Sequence, residues 1–176
     1  CRPSIQHRTV FLVLSSHQLI LYCGYNSAKY NTFRLFKVVG RKEAVMQLLR
    51  LELKGFKSFA DKTVVKFSPG MTAVIGPNGS GKSNITDAMK WVLGESNVRN
   101  LRGQKAEDII FSGTEKRKPM SAAEVTLVFD NSDHQLDVDM AEVAITRRIY
   151  RTGESEFLIN KRSCRLKDIH LLLADT

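Results

Sequence analysis

At 176 residues with 43% apolar side chains, the chain can fill one domain core, which points to a soluble globular chain or part of one. The net charge of +9 is too uneven to signal a nucleic-acid binder by itself: residues 1–45 hold seven Lys/Arg against one acidic residue, and residues 46–176 hold twenty against seventeen. Cys1, Cys23 and Cys164 lack C-x-x-C spacing and the four histidines share no ligand spacing, so neither a disulfide framework nor a zinc site is indicated.

The apolar stretch "VFLVLSSHQLILYCG", Val10 to Gly24, imitates a signal peptide or anchor. It is too short, and too interrupted by Ser15, Ser16, His17 and Gln18, to span a membrane. The chain begins with Cys1, and "MQLLRLELKGF" from Met46 reads as a natural start. Residues 1–45 are therefore expected to be upstream sequence translated with the protein, with a genuine basic extension as the alternative. No function is assigned to them.

From Met46 the pattern becomes regular. Leu49, Leu51 and Leu53 alternate with Arg50, Glu52 and Lys54 in a strand that Gly55 ends. "KTVVKF" predicts a second strand, Pro69-Gly70 a turn, and "MTAVI" a third strand whose unbroken apolar run suits burial. Ile85, Ala88, Met89, Val92 and Leu93 share one face of a helix over Ser83–Leu93, which stops at Gly94 and packs on the sheet. Beyond the basic loop "SNVRNLRGQKAED", the segments "AEVTLVFD", "EVAITRRIYR" and "EFLIN" alternate, with "NSD" and "TGES" as turns, and predict an antiparallel meander. "RLKDIHLLLA" begins a final helix.

Gly76, Gly81, Lys82 and Ser83 satisfy G-x-x-x-x-G-K-S between the third strand and the first helix. In such a loop the extra Gly79 lets the backbone curl so that N–H groups face β- and γ-phosphate oxygens. Lys82 then reaches those phosphates and the Ser83 hydroxyl holds Mg²⁺. Hydrolysis also needs a metal-binding acid on a neighbouring strand. The local candidate is Asp130, whose strand belongs to the meander and whose "DNSD" context equally reads as a turn.

The run "LELKGFKSFADKTVVKFSPGMTAVIGPNGSGKSNITDAMKWVLGE", followed by "LRGQKAEDIIFSGTEKRKP", "AEVTLVFDNSDH" and "ITRRIYRTGESEFLINKRSCRLKDI", resembles the N-terminal head segment of bacterial-type SMC chromosome-segregation ATPases over residues 46–176. The resemblance implies an α/β fold: a P-loop NTPase of the ABC-ATPase type, with a mixed sheet, phosphate loop, helix and antiparallel meander, present as an incomplete half-domain. In that family the metal aspartate, catalytic glutamate and signature loop lie beyond a long coiled coil, a hinge and the returning coil. Each ATP is sandwiched between the phosphate loop of one head and the signature loop of another.

The resemblance further implies ATP and Mg²⁺ as ligands. Gly76, Pro77, Asn78, Gly79, Ser80, Gly81, Lys82, Ser83 and Asn84 would form the phosphate loop, with Ser83 on the metal. Lys57 and Ser58 would lie beside the nucleotide, Ser58 reading equally as part of a strand-end turn clamped by Phe56 and Phe59. Arg102 would belong to an arginine-bearing loop associated with DNA-stimulated hydrolysis, and Lys105, Arg165 and Lys167 would face DNA phosphates without base specificity. The implied partners are DNA, the C-terminal half of the same head, a second SMC subunit and a kleisin-type subunit, in a nucleoid-associated cytoplasmic setting with no membrane. The chain alone is expected to be inactive. A stand-alone P-loop kinase or GTPase using Asp130, a non-catalytic nucleic-acid-binding module and a related split-head DNA-repair ATPase are the other readings.

Overall fold

The computed structural model describes residues 10–15, 18–23, 47–69, 72–134 and 136–174. Cys1, His7, His17, Met46, Gly70 and the stretch 24–45 lie outside the described residues, and so does the proposed boundary at Met46.

Six strands form the main sheet, in the order β4-β3-β6-β7-β8-β9, and every pairing in it is antiparallel. They are β3 (Leu48–Lys54), β4 (Thr63–Lys66), β6 (Ala122–Asp130), β7 (Glu142–Tyr150), β8 (Ser155–Ile159) and β9 (Arg162–Cys164). The meander read from periodicity is thus β6-β7-β8. Two of its features escape a reading of period: β3 joins it alongside β6, and "NKRSC" adds β9 through a turn at Asn160 and Lys161, which have φ of 48° and 69°.

Alternation along the strands sends Leu51, Leu53, Val125, Leu127, Val143 and Ile145 to one face, where all are buried. Helix α1 (Lys82–Val92) lies on that face and contributes Ile85, Ala88, Met89, Trp91 and Val92. Each of the larger aliphatic side chains, fully buried, stabilises the fold by roughly 1.5–3 kcal/mol. Leu93, expected on the helix's apolar face, is instead its C-cap residue and is exposed, while Trp91 turns inward against Phe56, with ring centroids 5.6 Å apart.

The opposite sheet face is polar: Arg50 pairs with Glu52 along β3, and cross-strand pairs join Arg50 with Glu142, Thr126 with Thr146, and Arg148 with Glu124 and Glu156. Gly55 (φ 64°) ends β3 where a Cβ would lie 2.2 Å from the Ala122 carbonyl oxygen, so no other residue fits. Helix α2 (Leu166–Ala174) docks on the C-terminal end of α1, with His170 Nε2 3.3 Å from the Leu93 carbonyl oxygen. Among the described residues no helix is long and apolar enough to cross a membrane.

A second sheet differs from expectation. Strand β5 (Thr72–Val74), read as buried, has Ala73 exposed and is followed by Ile75 at 66% exposure. The main sheet does not reach it. Its partner among the described strands is β1 (Val10–Ser15), antiparallel through Leu12↔Val74, Val13↔Ala73 and Leu14↔Thr72, and β1 in turn pairs with β2 (Gln18–Cys23). The segment to which no function was assigned thus supplies β1 and β2, and β1 covers an edge that β5 leaves open.

Candidate nucleotide-binding site

Between β5 and α1 the loop turns twice through the left-handed region, at Gly79 (φ 85°) and Gly81 (φ 89°), conformations that only glycine adopts without strain. A Cβ on Gly81 would also stand 3.1 Å from Ser58 Oγ and 3.2 Å from Phe59 Cζ. No side chain caps the start of α1, and its first turn carries no acid. The positive end of the helix and its first N–H groups are thus left for an anion.

Lys82 is buried and folds back over the loop, donating to the carbonyl oxygens of Gly76 at 2.5 Å and Pro77 at 2.6 Å. An ammonium parked on backbone carbonyls needs no new desolvation to transfer to phosphate oxygens. Ser80 Oγ lies 3.4 Å from the same nitrogen. The loop opens on a cavity of about 170 Å³ lined by Asn78, Gly79, Gly81, Lys82, Ser83, Asn84 and Arg102. These donors fit a nucleotide phosphate. Ser83 contributes a single hydroxyl to the cavity wall, so by itself it is too small a donor set to hold a metal ion.

Arg102 reaches the cavity from the end of a 3-10 turn (Val98–Leu101). Its Nη2 donates to Asp87 Oδ2 at 2.6 Å and Asn84 Oδ1 at 3.0 Å, and its Nε to Asp87 Oδ2 at 3.1 Å. Lys57, expected beside the nucleotide, turns its ammonium to Asp87 and the Leu101 carbonyl and is not part of the cavity wall. Ser58 accepts from Asn84 Nδ2 at 2.8 Å, which ties the "KSF" turn to the first turn of α1. Ser58 itself is not part of the cavity wall; it touches the site through Asn84, which is.

Asp87 escaped the sequence reading. Its one signal is that it is the only acidic residue between Asp61 and Glu95.

The DNA-facing candidates occupy two stations. Lys105 is exposed ahead of a second 3-10 turn (Ala106–Ile109), its backbone N–H donating to Asp108 Oδ2 at 2.8 Å. Arg165 and Lys167 are exposed at the start of α2, and Arg165 Nε lies 3.4 Å from Asp168 Oδ2. Asp130 caps its own turn, Oδ1 accepting from Ser132 N–H at 3.0 Å, and its strand lies between β3 and β7, not beside β5. Its neighbour Asn131, fully buried, organises the loop that follows by donating to the Val138 and Met140 carbonyls at 2.9 Å. Among the described residues no group of three or more His, Cys, Asp or Glu stands together to hold a metal.

Against known proteins, the model of the RecF/RecN/SMC N terminal domain matches residues 47–176. Over 131 residues the chain is 60% identical to the chromosome partition protein Smc of Lactiplantibacillus plantarum, which covers 74% of this chain and 11% of that protein. It superposes with a TM-score of 0.69 and 40% identity on a structure from work on ATP-driven dimerization and DNA-stimulated activation of SMC ATPases, covering 73% of this chain and 78% of that one. A Pyrococcus furiosus Smc head domain with an extended coiled coil, bound to the C-terminal domain of ScpA, gives 0.71 and 41%, over 74% of this chain and 33% of that one.

Proposed function

Because the chain belongs to the RecF/RecN/SMC N-terminal domain family, we propose that it is the ATP-holding portion of an SMC head acting in chromosome partition, and that it becomes an ATPase only when completed by further chain and a second head. The observation that carries this is the convergence of a buried Lys82, an uncapped helix start and Arg102 on one cavity. In this reading Lys82 leaves the Gly76 and Pro77 carbonyls for phosphate oxygens, the first-turn N–H groups hold the same anion, and Ser83 and Asn84 orient it. Bound Mg²⁺ would neutralise phosphate charge from the Ser83 side.

The chain spans 11% of the length of the curated relative above, so its partners belong to the proposal as well. The exposed Ala73 and Ile75 beside the phosphate loop support a partner strand from the C-terminal half of the head. The ATP-driven dimerization of one structural relative supports a second head, and ScpA on another supports a kleisin-type subunit. Lys105, Arg165 and Lys167, all exposed, are then the residues that meet DNA phosphates, in a cytoplasmic, nucleoid-associated setting.

Titration with a fluorescent ATP analogue tests the core of the reading. Weak binding abolished by Lys82→Ala, with negligible turnover, is expected, since the phosphates lose their nearest counter-charge. Turnover by this chain alone, removed by Asp130→Ala, would instead establish the kinase-like alternative.

A further inference from the structure

Asp87 lies on α1 beyond the phosphate loop and is 5% exposed. A single oxygen, Oδ2, receives the Lys57 ammonium and both the Nε and Nη2 of Arg102. One carboxylate cannot neutralise two cations, so the cluster keeps a surplus positive charge at the wall of the phosphate cavity.

The two cations are not equally free. Lys57 is also held by the Leu101 carbonyl, and its side chain is 11% exposed, whereas that of Arg102 is 52% exposed and lines the cavity. The backbone under Arg102 is fixed. It adopts φ 55°, its N–H donates to the Arg99 carbonyl at 3.0 Å, and the next residue is Gly103, where a Cβ would stand 2.7 Å from Val98 Cγ1. Any choice Arg102 makes is therefore a choice of side-chain partner. A phosphate entering the cavity competes with Asp87 for the arginine and leaves the buried Lys57 pair in place.

We propose that Asp87 is a positioning residue that anchors Lys57 permanently and Arg102 conditionally, withholding the arginine from the nucleotide until the assembled, DNA-bound protein releases it. The proposal rests on the reading that Arg102 serves the nucleotide site and that DNA stimulates hydrolysis there, as the work on the SMC ATPase relative describes for those proteins. It makes α1 report at both ends of one decision: its first turn grips phosphate and its second turn holds back the arginine.

The test is the ATPase rate of the full-length protein with and without DNA. Asp87→Asn keeps the shape and removes the charge. It should raise the DNA-free rate about two- to fivefold, the worth of one half-exposed ion pair, and lower the DNA stimulation ratio by a similar factor. The Asp87→Asn/Arg102→Ala pair should lose that gain, and Asp87→Glu should restore part of the stimulation ratio. A merely structural Asp87 would lower both rates together, and that result overturns the proposal, as does a gain that survives Arg102→Ala.

If Asp87→Asn does not fold, Asn84→Ala loosens the same arginine without touching a buried charge. It should lower the ratio in the same direction by less, and an unchanged ratio counts against the proposal. Arg102→Ala alone separates the two levels. If it leaves both rates unaltered, the nucleotide role of Arg102 falls and the proposal with it. If it lowers only the DNA-stimulated rate while Asp87→Asn leaves the ratio intact, the reading stands and the role of Asp87 alone is refuted.

Discussion

Arg147 occupies an inward position of β7 where Val143, Ile145 and Ile149 set an apolar rule, and it is 9% exposed. Its guanidinium lies 4.8 Å from the Trp91 ring centroid and 4.7 Å from that of Phe157. Nη1 donates to the Trp91 carbonyl at 2.7 Å and the Glu95 carbonyl at 2.9 Å, so a cation sits at the negative end of α1. Burial lowers its pKa to about 10, which still leaves it charged at neutral pH, and its buried Nε has no acceptor. Arg147→Ala should cost about 3 kcal/mol in urea denaturation, from lost stacking and charged hydrogen bonds. Arg147→Met should cost clearly less, because it fills the slot and removes a desolvated charge. Equal losses would show that the helix-end hydrogen bonds outweigh the packing. Arg147 and Asp87 mark the limit of legibility at this scale. Alternation in "EVAITRRIYR" points Arg147 inward, but residue type argues for the surface, and only the rings of Trp91 and Phe157, distant in sequence, decide. The phosphate loop was legible because its chemistry is local, whereas the pairing of Asp87 with Lys57 and Arg102 spans three segments.

Strands and helix were legible as elements for a similar reason: periods of 2 and 3.6 are written within each segment. Partner choice is not. The pairing of Leu51 with Leu127 and Leu53 with Val125 joins segments with the phosphate loop and helix between them, and nothing in either period specifies it. On its other side β3 pairs with β4, and there Glu52 takes Lys62, which immediately precedes β4, along with Arg50 from its own strand. Lys62, then Arg50, hold the Glu52 carboxyl below its ordinary value of 4.5, and burial only partly opposes them. A lowered carboxylate pKa stabilises the fold above the ordinary value, and that contribution is lost as pH falls through the folded-state value. Glu52→Gln should therefore lower stability by about 1 kcal/mol or less at pH 7. Its melting temperature should converge on that of the parent chain as the pH drops below 4.5. A gap that persists at the lowest pH where both still fold would assign the loss to packing of the glutamate stem.

At the scale of the molecule, the main sheet with α1 and the β5 sheet differ in what holds them. The first has a continuous core of β3, β6, β7 and α1 side chains; in the second, β5 reaches that core through Val74 and pairs with β1 over Leu12↔Val74, Val13↔Ala73 and Leu14↔Thr72. Deleting residues 1–45 removes β1 and β2 and leaves every core residue named among the described residues in place. The truncated chain should keep the fold of the main sheet and lose little stability, since the described core of β3, β6, β7 and α1 is left intact. It should also self-associate more readily. The β5 edge then stands open beside Ile75, already exposed, and an uncovered apolar edge recruits another strand. A large loss of stability would mean that the hairpin packs on the core and is part of the fold. The same experiment reaches the proposed assembly: if the C-terminal half of the head takes up β5, adding that half to the truncated chain should suppress light scattering and raise ATP-analogue affinity together. Suppressed scattering with unchanged affinity would mean that the added half covers the edge without completing the phosphate site, and the split-head reading would lose its structural link between strand and nucleotide.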